Sequence, residues 1–136
     1  MCGIATIWNR KNIPVKKEEI NKMVNSLVHR GPDAKNVIIK HNIGFGHTRL
    51  QIIDPTERAN QPFTDGKDIL IFNGEIFNFK IIKNDLKKET TFNTNSDTEV
   101  LFKALQKWGK TALNKIEGQF SFVYFNFNKK SLLVAR

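Results

Sequence analysis

Apolar residues in this chain come in short β-rich runs, each closed off by Asn, Gly, Asp or Lys, with stretches of helical spacing between them. That punctuation limits the fold more than anything else in the sequence. Parallel strands need a long crossover after each strand, whereas strands joined by tight turns pair as antiparallel hairpins. Ile4–Trp8 is the first run, followed by a turn at Asn9–Asn12. From about Lys16 to Val28 the pattern changes: Ile20, Met23, Val24, Leu27 and Val28 share one helical face, and Gly31-Pro32 stops the helix. Val37–Ile39 and Ile43–Phe45 flank His41-Asn42 as a hairpin whose second strand runs to Thr48, and Ile69–Phe72 forms a third strand. Asn78 can cap a short helix carrying Phe79, Ile82 and Leu86 on one side.

The clearest helix start is Ser96-Asp97-Thr98-Glu99, with capping-box spacing: Ser96 accepts from the Glu99 amide while the Glu99 carboxylate reaches back. This helix buries Leu101, Ala104, Leu105 and Trp108 and ends at Gly109. Phe120–Phe125 and Leu132–Ala135 are strands joined across Asn126–Lys130. The expected fold class is therefore α+β, a layered arrangement with antiparallel hairpins at both ends and helices between. A chain of 136 residues fits one domain with a packed core, and no repeat, Ser/Gly linker or low-complexity block divides it.

Composition removes several function classes. The formal charge of +9 points toward nucleic acid, but the 22 cations are scattered as single lysines or pairs such as Lys16-Lys17, Lys87-Lys88 and Lys129-Lys130, interrupted by acids. A solvated basic surface is the simpler reading, and no nucleic-acid partner is expected. No apolar run is long enough to span a bilayer, so no membrane partner is expected either. The single cysteine excludes an internal disulfide and a Cys-based zinc site, so no metal ligand set is assigned and a cytoplasmic location is expected.

That cysteine occupies an unusual place. Removal of Met1 ahead of it would leave Cys2 with a free α-amine, putting nucleophile and base on one residue. An α-amino group with a pKa of about 7.7–8.0 suits proton exchange with a thiol near neutral pH. An inert buried cysteine is the competing reading. Asn73-Gly74-Glu75 follows the Ile69–Phe72 strand, where the Asn73 amide and Gly74 N–H can form an oxyanion hole; a plain Asn-Gly turn is the alternative. Arg49, at a strand end, offers a guanidinium fork to a carboxylate, and Asp97, in a first helical turn, can accept from an ammonium. Either residue could equally be a surface ion-pair partner.

Taken in order, Met1-Cys2-Gly3-Ile4, His29-Arg30-Gly31-Pro32-Asp33, His47-Thr48-Arg49-Leu50, Gln61-Pro62, Asn73-Gly74-Glu75-Ile76-Phe77-Asn78, Ser96-Asp97-Thr98-Glu99 and Glu117-Gly118-Gln119-Phe120 resemble the class II glutamine amidotransferases over the whole chain. His29–Asp33, Leu50–Asp54 and Gln61-Pro62 are most similar to the asparagine synthetase branch. The resemblance implies a two-sheet antiparallel sandwich covered by helices, the four-layer αββα arrangement of N-terminal nucleophile hydrolases. It implies that Cys2 attacks the glutamine carboxamide and forms a γ-glutamyl thioester, with Asn73 and Gly74 as the oxyanion hole. Arg49 would hold the substrate carboxylate, Asp97 and Glu75 would surround its ammonium, and the backbone of Leu50, Gln51, Ile52 and Ile53 would line the pocket. His29–Asp33 would shape the site without taking part in the chemistry.

The same resemblance implies that residues 1–136 are a glutaminase domain incomplete at its C-terminus, with the ATP-dependent synthetase domain absent. No cofactor is expected here; ATP and Mg²⁺ are expected only for that synthetase domain, which would be the ammonia-accepting partner and make asparagine from aspartate. A homodimer is a further partner state left open. Two alternatives stand beside this reading: a glutaminase serving another ammonia acceptor, and a non-catalytic glutamine-binding remnant.

Overall fold

A computed structural model describes residues 1–136. Its architecture follows from three separate apolar clusters, each the filling of one interface between layers. One three-stranded antiparallel sheet has the order β1-β3-β2, formed by β1 (Gly3–Trp8), β2 (Ala34–Lys40) and β3 (Ile43–Arg49). A four-stranded antiparallel sheet runs β4-β5-β6-β7, from β4 (Phe63–Thr64), β5 (Asp68–Ile76), β6 (Gly118–Asn126) and β7 (Ser131–Ala135). Ile43, Phe45, Ile69, Ile71 and Phe125 fill the space between the two sheets.

On the outer face of the smaller sheet, α1 (Lys17–Ser26) buries Ile20 and Val24 with Ala5 and Val15. The helix lies against the backbone of β3 itself, since a Cβ at Gly46 would come within 2.1 Å of Val24 Cγ2. On the outer face of the larger sheet, α2 (Phe79–Leu86) and α3 (Asp97–Trp108) close over Leu70, Phe72, Ile76, Phe122 and Tyr124. Helix, sheet, sheet, helix is the expected four-layer order, reached because both sheets are apolar on both faces. No helix is long and apolar enough to cross a membrane.

Several local expectations need correction. Val28 is exposed because α1 stops at Ser26 and Val28 enters a 3₁₀ turn, Val28–Arg30; Met23 is exposed within α1, which buries only Ile20 and Val24. Asn78 precedes α2 without capping it, because its side chain accepts from Glu117 N–H and donates to the Lys115 carbonyl instead. Ser96 does accept from the Glu99 amide, at 3.3 Å. The Glu99 carboxylate passes over Ser96 and takes the amides of Asn93 and Thr94 and the Thr94 hydroxyl. It thereby orders the loop before α3 as well as the helix end. Most consequential, β5 does not stop at Phe72. It stays paired with β6 through Ile76, so Asn73 and Gly74 lie inside a strand and not at a corner.

Candidate active site

The ends of β1 and β3, the loop after β3, the far half of β5 and the first turn of α3 enclose a cavity of about 290 Å³. Its size sits at the small end of ligand sites. Cys2, Arg49, Leu50, Ile52, Ile53, Asn73, Gly74, Glu75 and Asp97 all line it. Gln51 does not; its amide turns away to donate to Asp33 Oδ2 at 2.8 Å.

Cys2 precedes β1, which pairs in register with β3, so the start of the chain is carried to the Thr48–Leu50 end of the neighbouring strand. The Leu50 amide points at Cys2 Sγ from 3.4 Å, and the Arg30 guanidinium donates through Nε to the Cys2 carbonyl at 3.0 Å. Sulfur and backbone are thus each held by one donor. Met1 stands at the rim of the cavity and is largely exposed.

Opposite lies the open edge of β5, where β4 is too short to continue the sheet. The Phe72 amide donates to Gln61 Oε1 at 2.6 Å, and the Ile76 amide donates to Asp97 Oδ2 at 3.0 Å. Strand alternation aims the Gly74 amide, midway between them, out of the same edge. Gly74 sits at φ +150°, and a Cβ there would lie 2.1 Å from the Gln119 carbonyl, so only glycine lets β6 approach so closely. Asn73 Oδ1 is buried without a partner.

Electrostatics divides the cavity. Burial pushes the Asp97 carboxyl above its ordinary range, partly opposed by the Ile76 amide, and nearby Glu75 pushes the same way. Two carboxylates in one small space favour a cationic guest. Arg49, 5 % exposed, supplies the opposite charge. Its Nη1 donates to Thr56 O and Asn60 Oδ1, and its Nη2 to Ile53 O and Asp54 O. The fork predicted for a ligand carboxylate therefore binds the 53–60 loop in this structure.

Beneath the β5 edge, His47 bridges the two sheets, with Nε2 3.2 Å from the Phe72 carbonyl. A carbonyl only accepts, so Nε2 carries the proton, and burial lowers the pKa of the ring to about 4. His47 is a neutral inter-sheet tie.

Sequence reasoning missed Gln61, Thr98, Phe77 and Gln119 as lining residues. It also missed Asp54, which at φ +52° accepts from the Thr56 amide and hydroxyl and, through Oδ2, from the Asn95 amide. The Asp54-Pro55-Thr56 turn signal was available for the local half of that knot; the tie to Asn95 has no local signature.

Over residues 1–136 the chain matches the family described as glutamine amidotransferase domain. Asparagine synthetase [glutamine-hydrolyzing] 1 of Bacillus subtilis is 39 % identical over 142 residues, which take in all of this chain and 22 % of that protein. A putative asparagine synthetase [glutamine-hydrolyzing] 2 of Methanocaldococcus jannaschii is 35 % identical over 156 residues, all of this chain and 30 % of its own length. The chain thus spans under a third of the length of these two relatives. Among solved structures, the glutamine phosphoribosylpyrophosphate amidotransferase of B. subtilis superposes with a TM-score of 0.78 over 97 % of this chain and 36 % of that one, at 20 % identity, which establishes the shared fold. Family model, relatives and architecture agree: this chain belongs to the glutamine amidotransferase domain family and matches the glutamine amidotransferase region of asparagine synthetases.

Proposed function

We propose that this chain hydrolyses glutamine to glutamate and ammonia, with Cys2 as the nucleophile. The observation that carries the proposal is convergence. A thiol, an Asn-Gly pair on an open strand edge, a guanidinium and two carboxylates, from four separate parts of the sequence, line one cavity of amino-acid size.

The substrate is a zwitterion, and the cavity has a place for each charge. Its α-ammonium suits the Asp97–Glu75 pair, where a cation offsets the burial that raises the Asp97 pKa and relieves the lesser repulsion from Glu75. Its α-carboxylate suits Arg49, either at Nε or by replacing loop carbonyls at the fork, since charge-assisted bidentate bonds are about twice as strong as neutral ones. The side-chain carboxamide then reaches Cys2.

In the proposed chemistry, Met1 is removed and the freed Cys2 α-amine takes the thiol proton as sulfur attacks the amide carbon. The carbonyl oxygen becomes an oxyanion, met by Asn73 Nδ2–H and Gly74 N–H. Collapse breaks the C–N bond, ammonia departs with the proton from the amine, and a γ-glutamyl thioester remains on Cys2. Water, deprotonated by the same amine, attacks the thioester through a second oxyanion and releases glutamate. We assign the ammonia to an ATP- and Mg²⁺-dependent synthetase module that converts aspartate to asparagine, in line with the names of the relatives.

The test is ammonia release from glutamine by the intact protein beside its Cys2→Ala variant. Wild type should release ammonia, Cys2→Ala should fall to the blank, and intact mass should show Met1 absent. Equal rates in the two proteins would end the reading. Asparagine formed from aspartate, ATP and glutamine would identify the acceptor.

A further inference from the structure

We infer that Gln61 is a positioning residue for the oxyanion hole, an inference that rests on the glutaminase reading above. β4 pairs with β5 through Phe63↔Leu70 and Thr64↔Ile69, so the same register would set residue 61 opposite Phe72. The ladder does not continue by backbone: β4 is only Phe63–Thr64, and the Gln61 carbonyl accepts from Asn36 Nδ2 instead. The Gln61 side chain supplies what is missing. Its Oε1 accepts from Phe72 N–H at 2.6 Å and its Nε2 donates to Phe72 O at 3.1 Å, reproducing both bonds of an antiparallel pair. The amide orientation is fixed, since Phe72 N–H needs an acceptor and Phe72 O a donor.

The second Nε2 proton goes to Thr98 Oγ1 at 3.3 Å, on the first turn of α3 beside Asp97. Gln61 is 5 % exposed, and all three of these hydrogen bonds lie in the interior. Phe72 is the residue before Asn73. Gripping both its polar groups sets the strand edge from which Asn73 and the Gly74 amide project, and the Thr98 bond locks that edge to the helix that carries Asp97. His47 Nε2 takes the remaining lone pair of the Phe72 carbonyl. Gln61 thus stands in for a strand where a real strand would cover the Gly74 amide and close the cavity.

Two substitutions separate positioning from bulk. Gln61→Met keeps the length and apolar packing and removes every bond. Gln61→Glu keeps the two bonds to Phe72 only while protonated: the neutral acid accepts from Phe72 N–H and donates to Phe72 O, whereas the carboxylate repels that carbonyl. In the intact protein, Gln61→Met should lose at least about tenfold in kcat for glutamine hydrolysis with KM within about threefold. The Gln61→Glu to wild-type ratio of kcat should stand near one at low pH and fall about tenfold as the new carboxyl ionises. His47, Arg49, Glu75 and Asp97 share this surrounding and are the same in both proteins, so the ratio isolates position 61.

Alkylation of Cys2 by iodoacetamide forms no oxyanion and is the control for folding; its rate should match wild type in both variants. Wild-type kcat in Gln61→Met would overturn the inference, as would an alkylation loss parallel to the kcat loss, or a pH-independent Gln61→Glu ratio. An inactive wild type would bring down the glutaminase reading and this inference together, and is distinguished by needing no variant.

Discussion

The two walls of the cavity treat their hydrogen-bond donors in opposite ways. On the β5 wall, the Phe72 and Ile76 amides are taken by Gln61 and Asp97, which leaves the Gly74 amide between them directed at the cavity. On the loop wall, Arg49 gives both of its Nη groups to Ile53, Asp54, Thr56 and Asn60. One wall is fixed and has a donor to offer; the other is knotted to itself. Donors that stabilise a transition state act best when they need no rearrangement as charge develops. Donors that recognise a substrate can tolerate exchange, because a carboxylate arriving at the fork replaces weaker carbonyl partners. Under the proposed glutaminase reading, the contrast would give rate to the strand and affinity to the loop.

The sharpest way to break that assignment is at Asn73. Asn73→Ala removes one proposed oxyanion donor and should lower kcat by roughly a hundred- to a thousandfold, about 2.7–4 kcal/mol, with KM changed little. Steady-state ammonia release measures both. A variant with normal kcat and raised KM would turn the strand wall into a recognition surface.

The fixed wall also depends on the inter-sheet tie under it. His47 has a folded pKa of about 4 against an ordinary 6.5. Between those values the unfolded chain binds a proton that the native chain refuses, so stability rises with pH across the window. The contribution is fully present above pH 6.5 and lost as pH falls toward 4, in all about 3 kcal/mol. His47→Gln keeps a donor for the Phe72 carbonyl and does not titrate. Urea midpoints should drop between pH 7 and pH 4.5 in wild type and drop much less in the variant. Parallel losses would place the acid sensitivity elsewhere.

On the loop wall, Arg49→Lys keeps the charge and discards the fork. A lysine cannot serve four acceptors spread across Ile53 to Asn60. Losing charged hydrogen bonds worth about 1.5–3 kcal/mol should raise the glutamine KM by roughly ten- to a hundredfold while kcat moves less. A loss confined to kcat would erase the division between the walls.

What was legible in the sequence follows the same division. Strands and helices were readable from uninterrupted apolar runs, as in Ile69–Phe72, and from apolar stripes at helical period, as in α3. The extension of β5 through Asn73, Gly74 and Glu75 was not. Asn-Gly is a turn signal locally, and only pairing with β6, distant in sequence, keeps those residues extended. Nine of the ten proposed site residues line the cavity because ordered motifs fix which strand ends meet. The occupation of each donor was invisible, since Gln61 against Phe72 or Arg49 against its own loop depends on register and loop shape, which residue type does not encode. Val28 failed for a simpler reason, that α1 ends two residues early, at Ser26, while Met23 lies within α1 but outside its buried pair, Ile20 and Val24.

Asp97 joins the two walls and gives the smallest and most diagnostic effect. Its carboxylate holds the Ile76 amide, yet burial and Glu75 raise its pKa. The native chain therefore keeps a proton that the unfolded chain releases. Stability falls as pH climbs from 3.8 through the raised value, and the cost persists at neutral pH. Asp97→Asn still accepts from Ile76 through Oδ1 and carries no charge, so without ligand it should melt slightly above wild type at pH 7. Glutamine should reverse that order, because an ammonium beside Asp97 lowers its pKa again and stabilises wild type by mass action, while the variant lacks the charge to hold it. Melting temperatures with and without saturating glutamine should thus cross between the two proteins. If glutamine raised both equally, the ammonium would not sit at Asp97, and the loop wall would carry recognition without it.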